Sequence, residues 1–140
     1  MKRTATAVWN GSGNDGKGNL TTQSTTLNKT QYSFKSRFEE GVGTNPEELI
    51  AAAHAGCFTM ALAFGLQRAG LTADSLETTC TITFDTSGQQ PTITTSHLEL
   101  KAKIPGVTPE KFQELAKGAE QGCPVSRVLK AEISLDATLI

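Results

Sequence analysis

No surplus charge marks this chain. Its formal net charge is -1, which gives no electrostatic reason to bind nucleic acid or an anionic membrane. No apolar run approaches the ~18 residues of a spanning helix. The N-terminal stretch MKRTATAVWNG has two basic residues but no apolar h-region of a secretion signal. With only three cysteines and no such signal, a disulfide framework is not indicated, and a reducing, cytoplasmic compartment is expected. There are no internal repeats, low-complexity tracts or linkers. What remains, 140 residues at 37% hydrophobic and 19% charged, is expected to form one soluble domain spanning residues 1–140.

The pattern of the chain fills in that outline. Residues 4–9, TATAVW, read as a strand, and NGSGNDGKG is a turn cluster. The β-prone runs NLTTQSTTL and TQYSF complete an antiparallel N-terminal meander in which Tyr32 and Phe34 share a face. The stretch EEGVG breaks it. In TNPEEL, Asn45 is placed as N-cap, Pro46 at the first helical position and Glu48 at the third, a capping-box-like arrangement. The helix it opens extends to Arg68 or Ala69, with Gly70 as its stop. The middle of that helix is apolar around its whole circumference, which predicts burial on all sides. SLETTCTITFDT alternates with Leu76, Cys80, Ile82 and Phe84 on one face, and TITTSHLELKAKI alternates again. A capped amphipathic helix follows, with Thr108 as N-cap, Pro109 first, and Phe112, Leu115, Ala116 and Ala119 inward. CPVSRVLKA reads as a short extra turn or two, and EISLDATLI closes the chain as a strand. The order βββ-α-ββ-α-β predicts an α+β fold with antiparallel sheets around long helices. A helix apolar all round needs more cover than one small chain supplies, so an obligate homodimer is expected.

The three cysteines sort differently. Cys80 is in register with core residues of a strand and reads as inert packing. Cys57, in AAAHAGCFTMALA, shares its helix face with Ala53, His54, Met60 and Ala61. Two alanines beside a thiol leave space, which fits either a tight helix crossing or a pocket holding a reactive sulfur. Cys123 precedes Pro124 and a helix start, where backbone N–H groups favour a thiolate, although GCP is also a plain turn. A zinc site from His54, Cys57, Cys123 and His97 is an alternative, weakened by the lack of a CxxC pair and by His97 falling on the solvent face. A binding module with an inert Cys57 is another. Arg37, at the hinge between the third strand and the helix, is a candidate cation, as are Arg127, which could instead pair with Glu120 or Glu132, and Arg68, near a helix C-terminus and expected at the surface.

The stretches GTNPEELIAAAHAGCFTMALA and GCPVSRVLKAEISL resemble the osmotically inducible protein C (OsmC) branch of the OsmC/Ohr thiol-dependent peroxidases, over essentially the whole chain. The resemblance implies an interlocked homodimer with an active site at each subunit interface. It implies reduction of organic hydroperoxides and, more slowly, of hydrogen peroxide, in oxidative or osmotic stress defence. Residue by residue, Cys57 matches the peroxidatic cysteine, Cys123 the resolving cysteine, Arg37 the arginine that activates the thiol, and Glu47 the acid that holds that arginine. No metal, haem or flavin cofactor is implied, and an external dithiol serves as reductant.

The chemistry suits those residue types. A cysteine of pKa ~8.5 is only slightly ionised at neutral pH, and an adjacent arginine favours its thiolate. The fixed fork of arginine can hold a carboxylate and face a substrate together. On a continuous helix Glu47 lies about 15 Å along the axis from Cys57 and cannot touch it directly. A sulfenic acid on Cys57 condenses with a second thiol before over-oxidation.

Overall fold

Two prolines, each just behind a capping residue, set where the long helices begin. In the computed structural model, which describes Met1–Ile140, Asn45 Oδ1 accepts the Glu48 N–H at 2.8 Å and opens helix α2, Pro46–Arg68. Thr108 accepts the Lys111 N–H at 3.2 Å and opens α3, Pro109–Gly122. Each side chain satisfies one of the amides that a helix start leaves unpaired. The capping box at Asn45 is not reciprocal: the Glu48 carboxylate accepts from the Thr44 hydroxyl instead. Helix α2 ends as expected at Gly70, whose φ of +72° is left-handed, with the Leu71 N–H returning to the Leu66 carbonyl in a Schellman closure.

The chain divides into two compact units, Met1–Leu49 and Ile50–Ile140. The first holds strands β1 (Ala5–Asn10), β2 (Lys17–Thr22) and β3 (Thr30–Ser33) in an antiparallel meander. Trp9, Gly18 and Tyr32 stand opposite one another across it. A Cβ on Gly18 would come within 2.4 Å of the Tyr32 ring, so glycine there lets the Trp9 and Tyr32 rings approach to 5.3 Å over the middle strand. Strand β3 is shorter than its sequence pattern suggests. Ser33 accepts the Ser36 N–H and Ser36 bonds back to the Ser33 N–H. That reciprocal cap turns Phe34 out of the strand and into a short helix, α1, Phe34–Phe38.

The second unit pairs β4 (Ser75–Asp85), β5 (Thr92–Lys103) and β6 (Glu132–Leu139) in the order β4-β5-β6. Here the expectation of purely antiparallel sheets is corrected. Strands β4 and β5 are antiparallel, but β6 runs parallel to β5. Helices α3 and α4 (Pro124–Val128) lie between β5 and β6 in the chain, and a helical crossover of that length lets the next strand re-enter in the same direction. The core is built from Phe58, Leu62 and Leu66 of α2, Leu98, Leu100 and Ala102 of β5, and Phe112, Ala116 and Ala119 of α3, with Cys123. Burying each large side chain contributes about 1.5–3 kcal/mol.

Helix α2 is not covered all round within one chain. His54, Phe58, Leu62 and Leu66, at i+4 spacing, are buried, while Met60 and Phe64 are 62% and 54% exposed. By length and composition α2 could cross a membrane, contrary to the absence of such a run expected from sequence. Its few polar residues are too scattered to interrupt an apolar window. Its buried stripe is instead part of a folded core.

Candidate active site

Cys57 and Cys123 come together. Cys57 lies mid-way along α2, in the half-turn of Ala, Gly and Cys that keeps side chains small. Cys123 is held in extended backbone, φ -65° and ψ 121°, closing α3 and opening α4 at once, as Pro124 requires of its predecessor. The two sulfurs are 2.9 Å apart and hydrogen-bonded, and both are free thiols. Cys123 is fully buried, and Cys57 is half-buried.

Either thiol can donate across this contact, and their surroundings decide which ionises more readily. Burial pushes Cys57 up, and the bond to Cys123 adds to this against a downward pull from the Val125 backbone amide. Burial alone would push Cys123 up as well. Donation from Cys57, from the Ser126 backbone and hydroxyl, and from the Val125 backbone outweighs it and holds Cys123 below the ordinary thiol value. Hydrogen bonds to a charged form favour that form. Within its own unit, Cys57 is therefore the harder of the two thiols to ionise.

Arg37 and Glu47 also come together, in the first unit. Arg37 Nη2 and Nε donate to Glu47 Oε1 at 2.8 and 3.1 Å, and Nε reaches Oε2 at 3.3 Å. Glu47 sits in the first turn of α2, where the amide ends favour a carboxylate. The Arg37 guanidinium lies 5.2 Å from the Phe38 ring centroid, a stacked contact that also fixes its plane. The carboxylate side chain is 12% exposed and the guanidinium side chain 38%. The neighbouring glutamates thus divide as their positions suggest, Glu47 to the arginine and Glu48 to Thr44.

Sequence reasoning missed a polar cluster beside the thiols. His54 is fully buried. Its Nδ1 is 2.6 Å from the Ser96 hydroxyl, and its Nε2 is 2.7 Å from the Ser126 hydroxyl. Ser96 Oγ is in turn 3.3 Å from Cys80 Sγ. Burial pushes His54 below its ordinary value, against an opposing influence of Glu120. Ser96 was the available signal: it occupies an inward register position ahead of Leu98 and Leu100 on β5, where an apolar residue is the norm. Cys80 faces inward as expected but is half-buried, and burial raises it foremost; an unactivated thiol fits that setting.

The four ligands of the zinc alternative do not converge. Both nitrogens of His54 are taken by serines, and His97 pairs outward with Ser134 at 2.6 Å and with Asp136 at 3.3 Å. Phe58, next to Cys57 in sequence, is fully buried in the core.

Comparison with known proteins agrees with this arrangement. Residues 39–138 match the model of the family described as OsmC-like protein. Peroxiredoxin OsmC of Escherichia coli (strain K12) is 46% identical over 133 residues, covering 95% of this chain and 93% of the relative. An organic hydroperoxide resistance protein of Xanthomonas axonopodis pv. citri (strain 306) is 34% identical over 102 residues, covering 71% and 68%. The crystal structure of an OsmC-like protein from Mycoplasma pneumoniae superposes with a TM-score of 0.79 at 16% identity, covering 100% of this chain and 98% of that one; this is evidence of the shared α+β fold. With the family model spanning most of the sequence, the chain belongs to the OsmC-like family.

Proposed function

We propose that this chain is a thiol-based peroxidase that reduces organic hydroperoxides to alcohols, with Cys57 as the attacking sulfur. The observation that carries the reading is the pair of free thiols 2.9 Å apart in a member of a family whose relatives are called peroxiredoxin and organic hydroperoxide resistance protein. The Cys57 thiolate attacks the distal peroxide oxygen, the O–O bond breaks, and the alkoxide leaves as alcohol once protonated. Cys57 becomes a sulfenic acid. Cys123 then displaces its hydroxyl as water, and the resulting disulfide is reopened by an external dithiol.

Because its own surroundings disfavour the Cys57 thiolate, the mechanism needs a cation from elsewhere. Arg37, held flat by Glu47 and Phe38, is the group assigned to that task, stabilising first the thiolate and then the charge on the departing oxygen. The exposed Met60 and Phe64 support a homodimer in which a second copy covers the open side of α2 and the site is completed at the interface. An apolar surface there favours an alkyl tail: ~100 Å² removed from water contributes about 2–3 kcal/mol. Hydrogen peroxide has no tail to bury. The reaction is placed in a reducing cytoplasm, in defence against oxidative stress.

Stopped-flow mixing of reduced protein with one equivalent of cumene hydroperoxide tests the reading. Two thiols per chain should be lost, peptide mapping should find Cys57 joined to Cys123 with Cys80 free, and hydrogen peroxide should react at least about tenfold more slowly. Loss of Cys80 in the linkage, or no thiol loss, would overturn it.

A further inference from the structure

We propose that His54 is a positioning residue for the resolving step: through its bond to Ser126 it clasps helix α4 to helix α2 and keeps Cys123 within reach of Cys57 once Cys57 is oxidised. The inference rests on the peroxidase reading above and concerns the half of the cycle that Arg37 does not serve.

The clasp is one end of a line of hydrogen bonds through the interior of the second unit. His54 Nδ1 lies 2.6 Å from Ser96 Oγ on β5, and Nε2 lies 2.7 Å from Ser126 Oγ on α4. Each hydroxyl can donate or accept, so the pair suits whichever nitrogen carries the ring proton. Apolar packing does not ask for this composition. His54 takes the first position of the buried stripe that continues as Phe58, Leu62 and Leu66, where an apolar side chain would avoid the desolvation that a buried imidazole suffers.

What this bond ties down is a segment with little else to hold it. Helix α4 has no buried residue, and Cys123 makes no side-chain cap at its start. Val125 packs only partly against the core, and Val128 is 75% exposed. Ser126 supplies the one side-chain hydrogen bond from Pro124–Val128 to another element. The spacing sets that bond beside the thiols. Cys57 follows His54 by three residues on α2, and Ser126 follows Cys123 by three, so on α2 the two contacts are about 4.5 Å apart along the axis. The α2 and α4 segments are thus joined twice, at 2.9 Å between the sulfurs and at 2.7 Å on the imidazole. One joint lets a short segment pivot, whereas two fix its position.

Oxidation undoes the first joint. After peroxide attack Cys57 carries a hydroxyl on its sulfur, and the thiol–thiol hydrogen bond no longer exists in that form. Cys123 must then close from 2.9 Å to the ~2.0 Å of a disulfide. As the S–S bond forms, the Cys57 S–O bond breaks and the hydroxyl leaves as water with the thiol proton. The imidazole joint is untouched by the oxidation and keeps Cys123 in line for this attack. A misplacement of ~1 Å can slow a positioned reaction about a hundredfold. A sulfenic acid left waiting is carried on to sulfinic acid by further peroxide.

The partition between those two fates tests the clasp. Reduced protein is mixed with increasing cumene hydroperoxide, and Cys57–Cys123 disulfide and Cys57 sulfinic acid are quantified by peptide mapping. The rate of attack is read separately, from hydroperoxide consumed in the first turnover. Ser126→Ala should raise the sulfinic-to-disulfide ratio at least about fivefold while the attack rate stays within about twofold of the parent's. Ser126→Thr, which restores the hydroxyl, should bring the ratio back. His54→Leu should give the same rise, and combining it with Ser126→Ala should add nothing, since both remove one contact. Thr78→Val breaks the 2.7 Å Thr59–Thr78 bond between α2 and β4 and so loosens α2 elsewhere; it should leave the ratio at the parent's value. An unchanged ratio in Ser126→Ala, additive effects in the double variant, or an equal rise in Thr78→Val would overturn the clasp. Should His54→Leu not fold, the Ser126 pair and Thr78→Val decide alone. A parent protein that loses no thiols to the hydroperoxide would instead remove the peroxidase reading itself.

Discussion

The two units of the chain differ in what they bury. Every buried hydrophobic side chain belongs to Ile50–Ile140, beginning at Phe58. In Met1–Leu49 the buried positions are Gly16, Gly18, Ser36 and Thr44, and β1 is exposed along its whole length. The second unit is therefore held by an apolar core and the first by local hydrogen bonds: the Ser33–Ser36 cap, Ser36 to the Thr44 carbonyl at 2.8 Å, Asn45 to the Ser36 carbonyl at 3.1 Å. A segment with so little apolar burial gains little on folding alone. The lesson is that the unit with the thiols is held by an apolar core, while the unit with the arginine is ordered by polar contacts that leave its first strand exposed.

That contrast can be attacked from several sides. The largest expected effect is in the core: Phe58→Ala should cost about 3–5 kcal/mol in urea unfolding, whereas Trp9→Ala, which loses a tilted aromatic pair, should cost only about 1 kcal/mol. Equal costs would erase the distinction. Next, Arg37→Ala should lower the rate of peroxide attack about a hundredfold, with unfolding free energy almost unchanged, and Arg37→Lys should recover part of the rate. The pH profile gives the sign. Attack needs the Cys57 thiolate, so the rate rises with pH to a plateau, and removing the cation should move that rise to higher pH. The two neighbouring glutamates sharpen the point further. Glu48→Ala should cost about 1 kcal/mol with activity intact, through the lost hydrogen bond to the Thr44 hydroxyl, while Glu47→Ala should slow attack by releasing Arg37. The reverse result would exchange their roles. The smallest effect is on acid stability. His54 is held below its ordinary value in the folded chain, so the unfolded chain takes up its proton first. Stability is then complete above about pH 6.5 and declines as pH falls below it. His54→Gln should flatten that decline in thermal melts.

Much of this was legible in the residues. Asn45-Pro46, Thr108-Pro109 and Gly70 fixed the ends of the long helices because capping is local chemistry. Alternation placed β4, β5 and β6, since a strand's faces repeat every two residues. Alternation says nothing about which strand lies alongside or in which direction, so the parallel β5–β6 pairing was hidden. The end of β3 was obscured because a Ser33–Ser36 cap has no distinctive sequence. The periodicity of α2 showed that both of its sides want cover but not which the chain itself would supply. The pairing of Glu47 with Arg37 was expected from family resemblance. The His54 line joins residues 42 and 72 positions apart, and only the packing of α2 on β5 and α4 reveals it.

The meeting of the two sulfurs has a consequence in chain statistics. They lie 66 positions apart in sequence, so the proposed disulfide would close a loop holding β4, β5 and α3. Cross-linking a loop of that length removes disorder from the unfolded chain equivalent to about 4 kcal/mol. Linkage makes the exchange reciprocal: a fold that gains ~4 kcal/mol from the bond also protects the bond by the same amount, about 90 mV for a two-electron couple. The oxidised protein should therefore melt higher than the reduced one. In the proposed cycle, the external dithiol would have to be a stronger reductant than would suffice for the same cysteines in an unfolded chain.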